Sequence, residues 1–400
     1  MSTIHERIIG RILSNKSSRK EDLKILTKIS EEGDALGHSK VTIANKLQAL
    51  QRFNLAVKKP YEDVEKEDTI KYFSKISGNY KDGSLDTLRA IIKWFYSWLG
   101  KPEVVDWIKF TNGHKTKLPE ELLTQQEIKT LVDTAASFRN KAIVMILYDG
   151  ALRVGELVNL KIKNLIFDDY GGYVIVPKGK TGMRKVRLVD AIPYLKDYVN
   201  KEHPNKDTPD SYLFVGVSGK GSRNESLGKQ VDTGGIRIML RRLATRSKIK
   251  KRVYPHIFRH VKMTEMAKEF TEQEMKIFAG WTAGSNSPRV YIHLSGKDID
   301  DKILEKRGLI KKDKIEKKNL LEPIRCIDPS CGYVNPVTNK FCEECHRPLD
   351  VKTILDIEAK NKIADVGYER ALEKSGEFKV DKSVLKDVIK EMIKSGEIKL

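Results

Sequence analysis

Two arginines, a lysine, a histidine and a late tyrosine run along this chain in an order that suits attack on a phosphodiester without a metal ion. Arg153 sits in Gly150-Ala151-Leu152-Arg153-Val154-Gly155-Glu156-Leu157, and a lysine sits in Lys178-Gly179-Lys180-Thr181-Gly182. His256 and Arg259 lie in Pro255-His256-Ile257-Phe258-Arg259-His260, and Gly280-Trp281 leads on to Arg289-Val290-Tyr291. Cleaving a phosphodiester requires neutralising charge on two non-bridging oxygens, and the guanidinium fork matches that geometry two hydrogen bonds at a time. A tyrosine hydroxyl, with a free pKa of about 10, needs a proton acceptor and an electropositive site before it is a nucleophile. His256 is the natural acceptor, and Arg153 with Arg259 the natural field.

Spacing supports the grouping. Arg153 and Glu156 are three apart on an expected helix and so share a face. Taken alone, such a pair is an ordinary surface contact of little worth. The apolar neighbours Leu152, Val154, Leu157 and Val158, following the break at Asp149-Gly150, argue for a buried setting. His256, Arg259 and His260 stand at i, i+3 and i+4 behind Pro255, so one helix face presents His256 and Arg259 together. A lone histidine is usually structural, whereas a His-x-x-Arg-His cluster with an independent arginine motif is a candidate site. Lys178, Lys180 and Lys185 all lie in or beside a turn expected between two strands. The Gly179-Lys180-Thr181 context favours Lys180.

The order and local contexts of Arg153, Lys180, His256, Arg259 and Tyr291 resemble the catalytic domain of the tyrosine recombinase (phage integrase) family, over roughly residues 115–300. The resemblance implies an enzyme that cuts and rejoins duplex DNA through a 3′-phosphotyrosine bond, leaving a free 5′ hydroxyl. That bond conserves the phosphodiester energy, so no catalytic cofactor is implied. The family assigns the turn lysine to protonating the departing 5′ oxygen and the acidic residue near Arg153 to orienting its guanidinium. Many members have histidine where this chain has Trp281, for which a packing and hydrogen-bonding role is expected. A homo-oligomer follows by the same resemblance, four protomers on two DNA sites. The rival readings are a type IB-like topoisomerase, which shares the nucleophile, and a non-catalytic DNA-binding regulator on the same scaffold.

The elements that must carry these residues are mainly α with a small antiparallel β-sheet (α+β). Residues 1–112 read as a helical domain, with Ile43, Leu47, Leu50 and Phe53, and again Leu88, Ile91, Ile92, Phe95 and Leu99, at helical spacing, and the family resemblance implies that it binds DNA. Residues 118–300 read as the catalytic domain after a polar, turn-rich linker. Capping boxes are expected at Thr124–Glu127 and Thr271–Glu274, and Gly280 ends the second helix. Tyr173–Val176 and Val186–Val189 read as strands. The glycine- and serine-rich stretch 283–288 reads as a mobile tether before Tyr291. Residues 301–325 follow as a basic linker or helix, and 350–400 as a charged helical tail.

The chain of 400 residues carries 75 Lys+Arg against 55 Asp+Glu, a formal charge of +20 that points to a polyanionic partner. Between 236 and 254, Arg237, Arg241, Arg242, Arg246, Lys248, Lys250, Lys251 and Arg252 occur without one acidic residue, as phosphate-positioning residues would. All four cysteines fall in a zinc-ribbon-like module at 326–349: Cys326-x4-Cys331 and Cys342-x2-Cys345. Four thiolates close a tetrahedral sphere, so structural zinc is expected. His346 stands where such modules commonly have glycine. Cys342-x2-Cys345-His346 also matches a haem-attachment pattern, but the other two cysteines fit zinc better. No export signal or membrane-spanning run is evident, so a cytoplasmic protein acting on double-stranded DNA is expected.

Overall fold

The computed structural model describes residues 4–15, 18–80, 82–110, 121–179, 182–217, 227–291, 303–304, 306–309, 319–351 and 353–355. The chain divides into two compact units, Met1–Lys115 and Thr116–Leu400. In the first, α1 (Ile4–Leu13), α2 (Lys20–Ala35), α3 (Lys40–Val57), α4 (Lys66–Ile76) and α5 (Asp82–Trp98) surround one apolar core. The helical spacing read from the sequence lands where it should: Ile43, Leu47, Leu50 and Phe53 of α3, with Ile92 and Phe95 of α5, are buried together. Asp22 is buried as well, and it accepts from the Tyr61 backbone at 3.0 Å and the Asn54 amide at 3.1 Å. A buried carboxylate survives only with such partners.

The second unit is built around α7 (Phe138–Asp149), buried on every side from Ala142 to Asp149. A helix apolar all round belongs inside a fold. It packs against α6 (Gln125–Thr134), α9 (Ile192–Lys201) and α11 (Pro255–Met266). Short α8 (Val154–Val158) follows, then an antiparallel sheet of β1 (Leu165–Asp168), β2 (Gly171–Gly179) and β3 (Gly182–Leu188) in that order. The β2–β3 pairing sets Gly172 opposite Leu188, Val174 opposite Val186 and Val176 opposite Arg184. β1 went unread in the sequence because four residues, of which Phe167 is exposed, carry almost no alternation. Helices α10 (Thr233–Arg246) and α12 (Glu272–Ala279) complete this part. Both expected capping boxes form, Glu127 closing on Thr124 and Glu274 on Thr271.

Residues 319–325, expected within a basic linker, return to this core. Leu321 is fully buried in it, and the Leu320 amide donates to Gln125 Oε1 at 3.3 Å. Beyond lies a small hairpin of β4 (Ile324–Arg325) and β5 (Val334–Asn335), which carries the cysteines. The expected tail lies outside the described residues apart from 350–351 and 353–355.

Asp149, last residue of α7, fastens that helix to the exit of β3. Its Oδ2 accepts from the backbone of Val189 at 2.8 Å and of Ala191 at 3.0 Å. Removing the carboxylate strands two amide groups, each costing about 1–3 kcal/mol. Asp149→Ala should therefore lower the unfolding free energy in urea by about 3 kcal/mol. A loss below about 1 kcal/mol would show that this junction does not depend on the two bonds.

Candidate active site

Arg153 is the N-cap of α8, one step outside the helix where the sequence suggested it, and Glu156 is the third residue inside. Glu156 Oε1 accepts from Arg153 Nη1 at 2.8 Å, and Oε2 from the Arg153 backbone at 2.9 Å. A second arginine arrives from β3: Arg184 Nη1 and Nη2 reach Oε1 and Oε2, each at 2.8 Å. Glu156 is 5% exposed. Burial pushes its carboxyl upward, but the fork of Arg184 and then the bonds from Arg153 outweigh that and bring it down to about 2.

Arg259 of α11 is 1% exposed. Its Nη1 donates to the Ala151 carbonyl and its Nη2 to the Ala279 carbonyl, both at 2.8 Å. Ala151 holds φ 46°, a left-handed conformation that costs an alanine about 1–2 kcal/mol. Strain of this kind persists only where the surroundings enforce it, and it gathers at functional sites. Arg153 Nη2 lies 3.4 Å from the Gly280 carbonyl, so two guanidiniums meet the C-terminal end of α12. Burial first, then the charges of Arg153 and Arg184, pull Arg259 down to about 10, and it remains a cation at neutral pH.

Tyr291 is 7% exposed and packs among Met263, Met266 and Met275. Its ring stacks on Trp281 at 5.8 Å between centroids and tilts against His260 at 5.5 Å. The Arg259 guanidinium lies 5.0 Å from the Trp281 ring. Burial raises the Tyr291 hydroxyl above its ordinary value, with Arg259 and Arg153 pulling the other way. His256 keeps a solvent-exposed edge and sets its ring 4.8 Å from that of His260. Loss of water on its inner side, then the charges of Arg259 and Arg153, lower its pKa, so it stays neutral at neutral pH. Where the sequence suggested a tether, residues 283–288 form a knitted turn, with Lys276 donating to the Ala283 carbonyl at 2.8 Å and the Ser287 amide to Ser285 Oγ at 3.2 Å.

Arg153, His256, Arg259, Trp281 and Tyr291 thus lie in one neighbourhood. Lys180 lies outside the described residues, between the paired Gly179 and Gly182. Of the other two lysines, Lys185 sets its ammonium 3.5 Å over the Tyr173 ring. On and after α10, Arg237, Arg241, Arg242, Arg246, Lys248, Lys250 and Arg252 are exposed. Lys251 differs, since it pairs with Glu127 at 2.9 Å and donates to the Leu122 carbonyl at 2.7 Å. Arg184 and His260 were not assigned from the sequence. A signal for Arg184 was present: extending the alternation of Leu188 and Val186 by one step puts Arg184 on the buried face.

The four cysteine sulfurs lie within 4.8 Å of one another, with Cys326–Cys345 at 3.5 Å and Cys331–Cys342 at 3.7 Å. Tetrahedral zinc with bonds of about 2.3 Å spaces its sulfurs about 3.8 Å apart, so the set fits such an ion. The residues after Cys331 and Cys345, Gly332 and His346, both hold φ 58°, so the two turns match although one lacks glycine.

Residues 121–297 match the phage integrase family. Over 247 residues, 61% of this chain and 80% of the relative, the chain is 26% identical to tyrosine recombinase XerA of Pyrococcus horikoshii. Its fold is similar to that of the Tn1549 transposon integrase in complex with transposon right end DNA (TM-score 0.53, 16% identity, 72% of this chain and 99% of the other). It is also similar to a lambda integrase tetramer bound to a Holliday junction (TM-score 0.53, 14% identity, 72% and 81%).

The shared carboxylate has a pH signature. A carboxyl held at about 2 instead of its ordinary 4.5 stabilises the fold above pH 4.5, and that stability drains away as pH falls towards 2. The shift corresponds to about 3 kcal/mol. Glu156→Gln should cost about that much at pH 7, and the gap to wild type should narrow steadily between pH 5 and pH 2 in denaturant titrations. A gap that stays constant with pH would mean that Glu156 carries no depressed charge.

Proposed function

This chain belongs to the phage integrase family of tyrosine recombinases, and on that premise we propose that Tyr291 is the nucleophile with which it opens DNA. The enzyme cleaves and rejoins DNA in site-specific recombination. Tyr291 attacks the scissile phosphorus, forming a 3′-phosphotyrosine bond and releasing a 5′ hydroxyl. The reverse attack by a new 5′ hydroxyl rejoins the strand. The observation that carries this reading is the burial of Tyr291 on Trp281, within the electrostatic reach of Arg259 and Arg153.

Each side chain then has a task. Arg153 and Arg259 neutralise the two non-bridging oxygens, and their backbone anchors hold them before substrate arrives, which is how preorganised donors lower a barrier. Because burial keeps the Tyr291 hydroxyl protonated, a base is required. His256, held neutral by its surroundings, accepts the proton, with His260 beside the tyrosine ring. Lys180 protonates the departing 5′ oxygen. Trp281 supports both the tyrosine ring and the Arg259 guanidinium. The exposed basic residues of α10 and its C-terminal extension contact backbone phosphates. Residues 1–112 grip the duplex, and residues 118–300 form the catalytic domain. Protomers assemble as tetramers on two sites, a reading supported by the fold shared with the lambda integrase tetramer. Cys326, Cys331, Cys342 and Cys345 hold a structural zinc ion and take no part in the chemistry. The work is done in the cytoplasm, where the DNA is.

Wild type and Tyr291→Phe, incubated with EDTA and a pool of nicked duplexes randomised around the nick, test the reading directly. A covalent adduct with wild type alone is expected, forming more slowly once pH falls below the ordinary imidazole range and His256, whose pKa its surroundings lower, takes up a proton. Adducts that persist in Tyr291→Phe, or tight DNA binding without any adduct, would overturn it. Supercoil relaxation without strand exchange would instead favour a topoisomerase.

The metal assignment has its own test, because the chain's four cysteines all lie in this cluster and a thiol-reactive mercurial reports on it alone. Titration should release zinc and expose the amides of residues 326–349 to hydrogen exchange, with adduct formation kept within about threefold. Loss of the chemical step together with the metal would contradict a structural role.

A further inference from the structure

Arg184 has no part in the mechanism above, yet it is held by two bonds as short as those that fix Arg259. Its side chain is 8% exposed, on the inner face of β3 opposite Val176. Both terminal nitrogens are committed to Glu156, one to each oxygen. Its buried Nε has no hydrogen-bond partner among the described residues. Gly280 makes room for it: a Cβ there would stand 2.8 Å from Arg184 Cδ and Nη1, and the φ of +61° disfavours a side chain as well.

The charges explain what this arrangement does. Glu156 has one negative charge, and Arg153 meets it with a single terminal nitrogen. Were Arg184 absent, the carboxylate, still tied to the Arg153 backbone through Oε2, would direct its whole charge onto the Arg153 guanidinium. The phosphate-matching geometry would then be spent on Glu156 before DNA arrived. We infer that Arg184 is a positioning residue for strand cleavage: it occupies both oxygens of Glu156, and so leaves the second terminal nitrogen of Arg153, held only by a long 3.4 Å bond to the Gly280 carbonyl, able to turn to the scissile phosphate. It also ties β3 to the arginine that binds that phosphate. The inference rests on the Tyr291 reading and deepens it.

The test is single-turnover adduct formation by full-length wild type, Arg184→Gln and Arg184→Lys on the nicked duplexes that wild type selects, with DNA affinity measured by anisotropy. Arg184→Gln should slow cleavage on the order of 10²-fold with DNA affinity within about threefold of wild type. Arg184→Lys should recover little, because an ammonium cannot make two parallel bonds. A scissile methylphosphonate, which carries no charge and so demands less of Arg153, should narrow the gap between variant and wild type; a merely loosened fold would not respond to it. Glu156→Gln combined with Arg184→Gln should be no slower than the slower single variant. Cleavage by Arg184→Gln within about threefold of wild type overturns the inference, as does a defect equal on both substrates and additive with Glu156→Gln. Arg184→Lys retains the charge and serves alone should the glutamine variant fail to fold. A wild type without a Tyr291-dependent adduct overturns the tyrosine reading itself, which separates the two failures.

Discussion

Glu156 carries a negative charge in a nearly waterless position, and two guanidiniums divide it between them. Burying a carboxylate alone is prohibitive, and burying it against one arginine often does no better than break even. With Arg153 and Arg184 both present, the carboxylate is bonded at both oxygens and the trio keeps a net positive charge. Low local polarity strengthens each of these bonds and makes the loss of any one expensive. Much of the local architecture follows from this arrangement: Arg153 at the cap of α8, the β3 register that turns Arg184 inward, and a glycine at 280 where any side chain would collide with it.

The second arginine of the site bonds to backbone carbonyls, not to a carboxylate. Arg259 spans from Ala151, at the end of the α7 connection, to Ala279, at the end of α12, and closes a gap of 128 residues along the chain. The left-handed turn at Ala151 is the local cost of aiming its carbonyl at the guanidinium. Around these cations Tyr291 is kept apolar enough to stay protonated. A phenol in that state is a poor nucleophile until a base removes its proton. A bound phosphate would be countered by cations that are already in position, with little reorganisation left for the moment of reaction.

Downstream, the chain returns to the unit it left. Leu321 enters the core between helices, and Asn319 reaches Asp190 at 3.4 Å beside the junction that Asp149 makes with β3. Lys201, at the end of α9, pairs with both Asp197 and Glu343, linking the catalytic fold to the cysteine module by side-chain charge. Within the module, Asn335 is wholly buried, donating to Cys342 Sγ at 3.5 Å and accepting from the Glu343 amide at 2.9 Å. Such contacts fix the orientation of the cysteine sulfur.

Much of this was legible in the amino-acid order, because the signals are short-range. Helical spacing marked α3 and α5; threonine and glutamate three apart marked the starts of α6 and α12; the run of valines and isoleucine marked β2. Arg153, His256, Arg259 and Tyr291 could be singled out because each sits in a local context that suits its chemistry, and the cysteines because their spacing does. What the order could not show are pairings across long stretches of chain. Glu156 and Arg184 are 28 positions apart, and a slip of one residue between β2 and β3 would send Arg184 to the outer face. Lys251 reads like its basic neighbours until Glu127, 124 residues earlier, is found beside it. The composition and local pattern of the chain therefore determined which residues are fit for phosphoryl chemistry. Only the packing of α7, α11, α12 and β3 decided which charges share a carboxylate, because burial and long-range register have no counterpart in local sequence.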